Sequence, residues 1–500
     1  MKYRLEISVF ICGAVVMILE IVGGRILAPY LGTSVIVWTG LIGIILGSLS
    51  LGYWLGGKLA DKKPTYKEFS LIIFTAAIFI GTTALCKSLI LILVQNMFIG
   101  IRSKLLLATA ILFTPSSILL GAVSPYAVKL KIKNLDESGS TVGNLYAIST
   151  IGSILGTFLA GFVLISFLGN TKIIFLLSMT LLFTSFITHS GHIPKSKILI
   201  MLFFIFCFFE TELLDKVYTE KDLILTVDTP YQEAKVFEGL DNATKRPIRY
   251  LITDNGPYFM RNLRQAVMYL DGDDLAMQPL KFFDLSRHFK PDFKYALMIG
   301  GGGYAYPRHY LKNFVTARID VVEIDPKITE LAEKYFKLTG NHRLAIYHED
   351  GRIFLNRAKN KYDVIFVDAF RSAIPPFQLT TKEAAQKIHD LLIEDGVVLI
   401  NIVSAIEGEK GKFLRAEYAT FKTIFPYVYL FPVRDHGNGL CVQNIILVAL
   451  KSKKNPIFKN DAQNLNEYLQ HLWDKEVKTD MPILTDDYAP VENYILKIFA

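Results

Sequence analysis

Apolar residues fill the first two fifths of the chain in long runs, and then give way to short, alternating segments. The runs fall at about 6–28, 35–57, 69–91, 105–128, 142–168 and 171–190. Each is long enough to cross a bilayer as a helix, which takes about 20 residues. A further run, Ile198 to Phe209, is short and suits a helix lying in the membrane interface. After Leu213 the period changes. The segments TVDTPYQEAKVFEG and RPIRYLITDNG predict a small antiparallel β unit with a turn at Asp254-Asn255-Gly256. From Tyr295 onward, apolar strands (YALMIG, RIDVVEID, RLAIYHED, YDVIFVDAF, GVVLINIV, QNIILVAL) alternate with amphipathic helical stretches such as PKITELAEKYF and TKEAAQKIHDLL. That alternation predicts a parallel, doubly wound sheet with helices on both faces.

The fold expected is therefore an α-helical transmembrane bundle followed by an α/β Rossmann-like domain of the class I methyltransferase type, with a small β unit before it. The expected boundaries are 1–212, 213–285 and 286–500. Composition agrees: 51% of the 500 residues are hydrophobic and mean hydropathy is +0.35. The first run lacks a small-residue cleavage site and holds Glu20 and Arg25, so it reads as a retained span and not a cleaved signal. Those two charges suggest either a substrate or ion site or a structural pair, with Arg25 also able to reach the interface. Gly43/Gly47, Gly52/Gly56 and Gly152/Gly156 stand four apart on one helix face, spacing that permits close helix approach.

The net charge of +8 adds less than its size suggests. Lysines cluster between apolar runs: Lys58, Lys62, Lys63 and Lys67 after the second, Lys129, Lys131 and Lys133 after the fourth. Such loops lie on the cytoplasmic side, which also puts Lys2 and Arg4 inside. No basic patch interleaved with aromatics marks the second half, so nucleic acid is not an expected partner. The four cysteines and the scattered histidines (His288, His309, His342, His348, His389) show no metal-ligand spacing, and no metal is expected.

Chemistry concentrates at the predicted strand ends. Gly300, Gly301, Gly302 and Gly303 follow the first strand, where glycines let the backbone turn tightly against a ligand. Glu323 ends the second strand about twenty residues on, where a carboxylate accepts hydrogen bonds from ribose hydroxyls. Asp350, before Gly351, closes the third strand and can contact an adenine amino group, cap the next helix, or both. Asp368 closes the fourth. The loop lacks the GxGxxG order, so the spacing suits adenosine plus a sulfonium better than a dinucleotide. Six spans put the C-terminal half in the cytoplasm and seven put it outside; a ligand of that kind is cytosolic, which favours six.

The runs LMIGGGGYAYPRH, VVEIDPKI, HEDGRIFL and YDVIFVDAF resemble the spermidine synthase (polyamine aminopropyltransferase) family. TPYQEAKVFE resembles the hairpin before that domain. EIVGGRILAPYLGTS, LGYWLGGKLADKK, IPPFQLTTKEA and LTDDYAPVE resemble its membrane-fused branch. The resemblance implies transfer of an aminopropyl group from decarboxylated S-adenosylmethionine, a co-substrate and not a tightly bound cofactor, to a polyamine such as putrescine, with release of methylthioadenosine. It assigns donor binding to Gln232, Gly300, Gly301, Gly302, Glu323, Asp350 and Gly351, and proton acceptance to Asp368.

Two positions depart from the family pattern. An aspartate normally follows the third loop glycine, where this chain has Gly303; another lies three residues after the fourth-strand aspartate, where this chain has Arg371. Both acids face amines. Asp486 and Asp487, with Glu492, are candidates to restore that charge by folding back; the alternative is a solvated turn with a cap at Thr485 or Asp486. Arg371 either points to solvent or pairs with a carboxylate, the latter implying intact S-adenosylmethionine and another transferred group. A transporter or sensor that binds an adenosyl ligand without turnover is the reading from a different class. The expected setting is a multi-pass protein of the cell membrane, with the lipid bilayer and a polyamine as partners; self-association as a homo-oligomer stays open.

Overall fold

The computed structural model describes residues 3–31, 35–62, 64–97, 100–132, 138–190, 194–210, 222–253, 264–369 and 375–498. By their internal contacts these form two compact units. The first holds the N-terminal helices together with Val227–Glu233; the second holds Asp222–Thr226 and the chain from Ala234 on.

In the first unit the apolar runs are helices: α1 (Arg4–Leu31), α2 (Val35–Lys62), α3 (Tyr66–Gln95), α4 (Ile101–Lys131), α5 (Ser138–Leu159), α6 (Asn170–Thr188) and α7 (Lys195–Phe209). Thr65 caps α3 by accepting from the Glu68 N–H at 3.2 Å. The run expected at 142–168 is not one α-helix. It passes through a π-helical turn at Ala160–Leu164 and ends in Ile165–Phe167. Among the described residues, α1 to α6 are long and apolar enough to cross a membrane. The 15-residue α7 is too short, and it buries Phe204 and Cys207 in the helical core.

The paired glycines divide into two kinds. A Cβ on Gly52 or Gly56 would strike the backbone of α4 at Ile118 and Ala122, and one on Gly152 or Gly156 would strike α1 at Phe10 and Ala14. These helices touch through their backbones, as small residues allow. Gly43 and Gly47 face open space. Lys129 pairs with Asp61 at 2.8 Å and Lys131 with Glu6 at 2.7 Å. The start of α1 and the ends of α2 and α4 therefore lie at one end of the bundle. Lys2, Lys63 and Lys133 lie outside the described residues. Arg25 does not pair with Glu20. Its guanidinium donates to the carbonyls of Pro230, at 2.6 Å, and Thr229.

After the helices come four strands, β1 (Leu223–Asp228), β2 (Glu233–Leu240), β3 (Pro247–Thr253) and β4 (Ala266–Tyr269), in the order β1-β2-β3-β4. β2, β3 and β4 pair antiparallel, as the alternation predicts; the expected turn at Asp254-Asn255-Gly256 lies outside the described residues. Then come β5 (Tyr295–Ile299), α8 (Ala305–Asn313), β6 (Arg318–Val322), α9 (Pro326–Tyr335), β7 (Leu344–Tyr347), α10 (Gly351–Arg357), β8 (Tyr362–Val367), α11 (Lys382–Leu391), β9 (Leu392–Ser404), α12 (Lys412–Lys422), β10 (Tyr427–Pro432), β11 (Gln443–Leu450), α13 (Gln463–Leu469) and α14 (Val491–Leu496).

The larger sheet has the order β10-β11-β9-β8-β5-β6-β7. Five strands, β7 to β9 in that order, run parallel. The expectation of a wholly parallel sheet is corrected at the other edge. β11 pairs antiparallel with β9, and β10 antiparallel with β11. No helix long enough for a crossover separates β10 from β11, so β11 must return beside β10 in the opposite sense. β10 itself, YVYLFP, is absent from the predicted strands because its flanking prolines read as loop. The core lies where Leu297, Ile299, Ile365, Val398, Ile400 and Ile445 meet the helices, all at most 6% exposed.

Candidate active site at the carboxyl ends of the parallel strands

β5 ends at Ile299, and the chain turns sharply. Gly300 has φ +95° and Gly302 φ +49°, backbone angles that side-chain-bearing residues rarely adopt. A Cβ on Gly300 would also overlap the carbonyl of Asp368. The Gly300 N–H donates to the Val322 carbonyl at 2.9 Å, and the Asp368 N–H to the Ile299 carbonyl at 2.9 Å. The glycine loop is thus tied to the ends of both neighbouring strands. At Gly303 the backbone is ordinary, but a Cβ would overlap the methyl of Ala266. The acid expected there has no room.

Glu323 is 7% exposed and lies under this loop. Its Oε2 accepts from the Gly301 N–H at 2.9 Å and the Gly302 N–H at 3.1 Å; its Oε1 accepts from the Asp325 N–H at 3.0 Å. A carboxylate offers about four acceptor sites. With three filled, only one remains for a ribose hydroxyl, so bonds to both hydroxyls would require one loop N–H to yield. Burial pushes the Glu323 carboxyl up, against the lowering effect of those N–H donors.

Asp350 is the N-cap of α10, accepting from the N–H groups of Arg352 at 2.8 Å and Ile353 at 3.2 Å. Its Oδ2 accepts from Gln378 at 3.3 Å. Gly351 lies against the end of β5, since a Cβ there would stand 2.7 Å from Ile299 Cγ2.

Asp368 follows the last residue of β8. Its Oδ1 accepts from Asn401 Nδ2 at 2.9 Å, and Asn401 Oδ1 accepts from Asn444 Nδ2 at 3.0 Å. The chain of amides crosses from β8 to β9 to β11. Burial raises the Asp368 carboxyl above the usual aspartate range, and the Asn401 hydrogen bond opposes that shift only in part. A carboxyl so placed can take a proton from an amine that is itself reluctant to lose it.

Gly300, Gly301, Gly302, Glu323, Gly351 and Asp368 are therefore one cluster at the strand ends, where ligands bind in open α/β sheets. Asp486 accepts from Arg352 at 3.0 and 2.6 Å and from Thr381 at 2.7 Å. Burial pushes its carboxyl up, and the Thr381 and Arg352 donors more than offset this, leaving it below the usual range. Its charge is thus matched locally. Thr485 to Tyr488 form a turn, with Asp487 exposed. Gln232 belongs to the first unit, where its backbone closes a tight turn on the Thr229 hydroxyl. Arg371 lies outside the described residues.

Asn401 and Asn444 escaped sequence reasoning, although Asn401 is the one amide in the apolar run GVVLINIV. Glu417 escaped it too. It lies on the inner face of α12, 2% exposed, and among the described residues its Oε2 has no hydrogen-bond partner.

Residues 282–456 match the family model of the spermine/spermidine synthase domain. The chain is 29% identical over 223 residues to the polyamine aminopropyltransferase of Vibrio vulnificus, across 40% of this chain and 70% of that protein. It is 29% identical over 217 residues to the probable polyamine aminopropyl transferase of Bifidobacterium longum, across 39% of this chain and only 48% of that one. Among solved structures, the spermidine synthase from Thermotoga maritima is similar with a TM-score of 0.38 and 21% identity, over 56% of this chain and 84% of that one. The C-terminal part of this chain is thus similar to the spermine/spermidine synthase domain, both by the family model and by relatives that carry the aminopropyltransferase name.

Proposed function

We propose that this chain transfers an aminopropyl group from decarboxylated S-adenosylmethionine to a polyamine such as putrescine, releasing methylthioadenosine. The observation that carries this reading is Asp368: a carboxyl raised by burial, braced by Asn401, and adjoining the glycine loop through Gly300. In the reaction the amine must first lose a proton. Its lone pair then attacks the carbon next to the sulfonium, the carbon–sulfur bond breaks, and sulfur keeps the bonding pair. Asp368 accepts the amine's proton, Glu323 and the loop hold the ribose, and Asp350 faces the adenine.

The test supplies the decarboxylated donor with putrescine and follows methylthioadenosine. Asp368→Asn should lower the rate by roughly 10²–10⁴-fold, the usual contribution of a positioned base. An unchanged rate would remove Asp368 from the chemistry.

Gly303 favours a second reading. The position that carries an amine-facing aspartate in the family is closed here by Ala266. In this reading the donor is intact S-adenosylmethionine and a different group moves. Tighter binding of the intact donor than of the decarboxylated one supports it; the reverse order rejects it.

We further propose that α1 to α6 cross the cell membrane and that the C-terminal part faces the cytoplasm. The support is the length and hydropathy of these helices, and the ion pairs that gather their lysine-rich ends on one side. Protease cleavage of the C-terminal part in inside-out vesicles, with protection in right-side-out ones, is the expected result.

A further inference from the structure

A cavity of about 20 Å³ lies at the carboxyl ends of β8 and β9, lined by Val367, Ala369, Ile400, Asn401, Phe413 and Glu417 among others. We propose that Glu417 is the carboxylate that receives an ammonium group of the amine substrate in this cavity. The proposal rests on the aminopropyl-transfer reading and deepens it.

Size comes first. The space holds about one water-sized group, which an ammonium matches and a phosphate or carboxylate exceeds. Chemistry comes second. Glu417 is 2% exposed, and among the described residues its Oε2 lacks a hydrogen-bond partner. An unpaired buried carboxyl oxygen is costly and calls for a partner. Position comes third. Asn401 lines the cavity and donates to Asp368 at 2.9 Å, so the space adjoins the proposed base. The two departures from the family pattern then have a counterpart: an acid on α12, approached from the other side of β9.

Among the described residues no charged group acts on Glu417, and burial holds its carboxyl well above the usual range. Burial therefore favours the neutral acid at Glu417. When an ammonium enters, the carboxyl ionises, the ion pair forms, and the displaced proton passes to solvent.

Calorimetry on the full chain in detergent, with the donor site filled by methylthioadenosine, tests this. Putrescine is titrated near neutral pH in two buffers of different ionisation heat. The wild type should release about one proton per putrescine bound, as linkage requires when a neutral acid ionises. Glu417→Gln should abolish that release and weaken putrescine binding roughly 10- to 100-fold, the range for a lost charge-assisted bond. Methylthioadenosine binding, the control for folding, should not change. If Glu417→Gln binds putrescine within about twofold of wild type, with the same proton release, the assignment fails while the functional reading stands. If the wild type binds methylthioadenosine but no diamine and forms no product, the functional reading fails first and takes the assignment with it.

Discussion

Adding one methyl at Gly303 tests its packing against Ala266. An ideal Cβ there overlaps the Ala266 methyl, while the next neighbours, on the Phe336 ring, stand at an ordinary 3.4 and 3.7 Å. Backbone strain does not enter, because Gly303 is not among the residues with positive φ. Gly303→Ala should therefore destabilise the protein by about 1–3 kcal/mol, the range for overpacking a filled core. Ala266→Gly alone removes one buried methyl, about 0.8 kcal/mol, and loosens a strand by roughly 0.5–1 kcal/mol. Together they remove the overlap, so the double variant should be less destabilised than the sum by about 1–2 kcal/mol. The assay is unfolding of the full chain in detergent, comparing all four forms under one protocol. Additivity within about 0.5 kcal/mol would refute the reasoning, since it would mean that the two positions do not touch. The same pair carries a functional arm. Gly303→Asp with Ala266→Gly reopens space for the acid of the family pattern, and should improve use of the decarboxylated donor where Gly303→Asp alone does not.

Other expectations follow from the same geometry. Asn401→Leu removes the hydrogen bond that favours ionised Asp368, so the basic form should appear only at higher pH and the rising limb of the pH–rate profile should move upward; an unmoved limb would separate Asn401 from the base. Glu323→Gln replaces an acceptor of three N–H bonds by an amide, and should weaken methylthioadenosine binding about tenfold or more, read by calorimetry. Burial raises the Glu417 carboxyl in the folded chain, so the folded state binds its proton more tightly than the unfolded state does. Its contribution is then most favourable below the ordinary value of 4.5 and is lost as pH rises above it. The stability of Glu417→Gln relative to wild type should accordingly increase from acid to neutral pH, and a constant difference would contradict the assignment of a buried neutral acid.

Much of this was legible in the residues because period and punctuation agreed. The helix period across α1 to α6, the strand–helix alternation from Tyr295, and the acids at strand ends all follow from local chemistry. Asp350 shows why two readings could be held together: the oxygen that caps α10 leaves the other free for a partner, here Gln378. The strand β10 was not legible, because Pro426 and Pro432 punctuate it as a loop would, although Tyr427 and Tyr429 keep the period of two. The antiparallel edge was not legible either, since pairing sense depends on the connection and not on a strand's own residues. Glu323 marks another limit. Its position was readable, but how many of its acceptor sites the glycine loop had already filled was not. Glu417 left only a faint trace, as a single acid on the otherwise apolar face of α12.

The central claim is that the strand-end cluster carries out aminopropyl transfer with Asp368 as base. The most direct measurement is methylthioadenosine release by the purified full chain given decarboxylated S-adenosylmethionine and putrescine, beside Asp368→Asn. The account predicts release by the wild type and a loss of roughly 10²-fold or more in the variant. Binding of the donor by both forms with product from neither would contradict it, and would favour an adenosyl-ligand sensor or transporter instead.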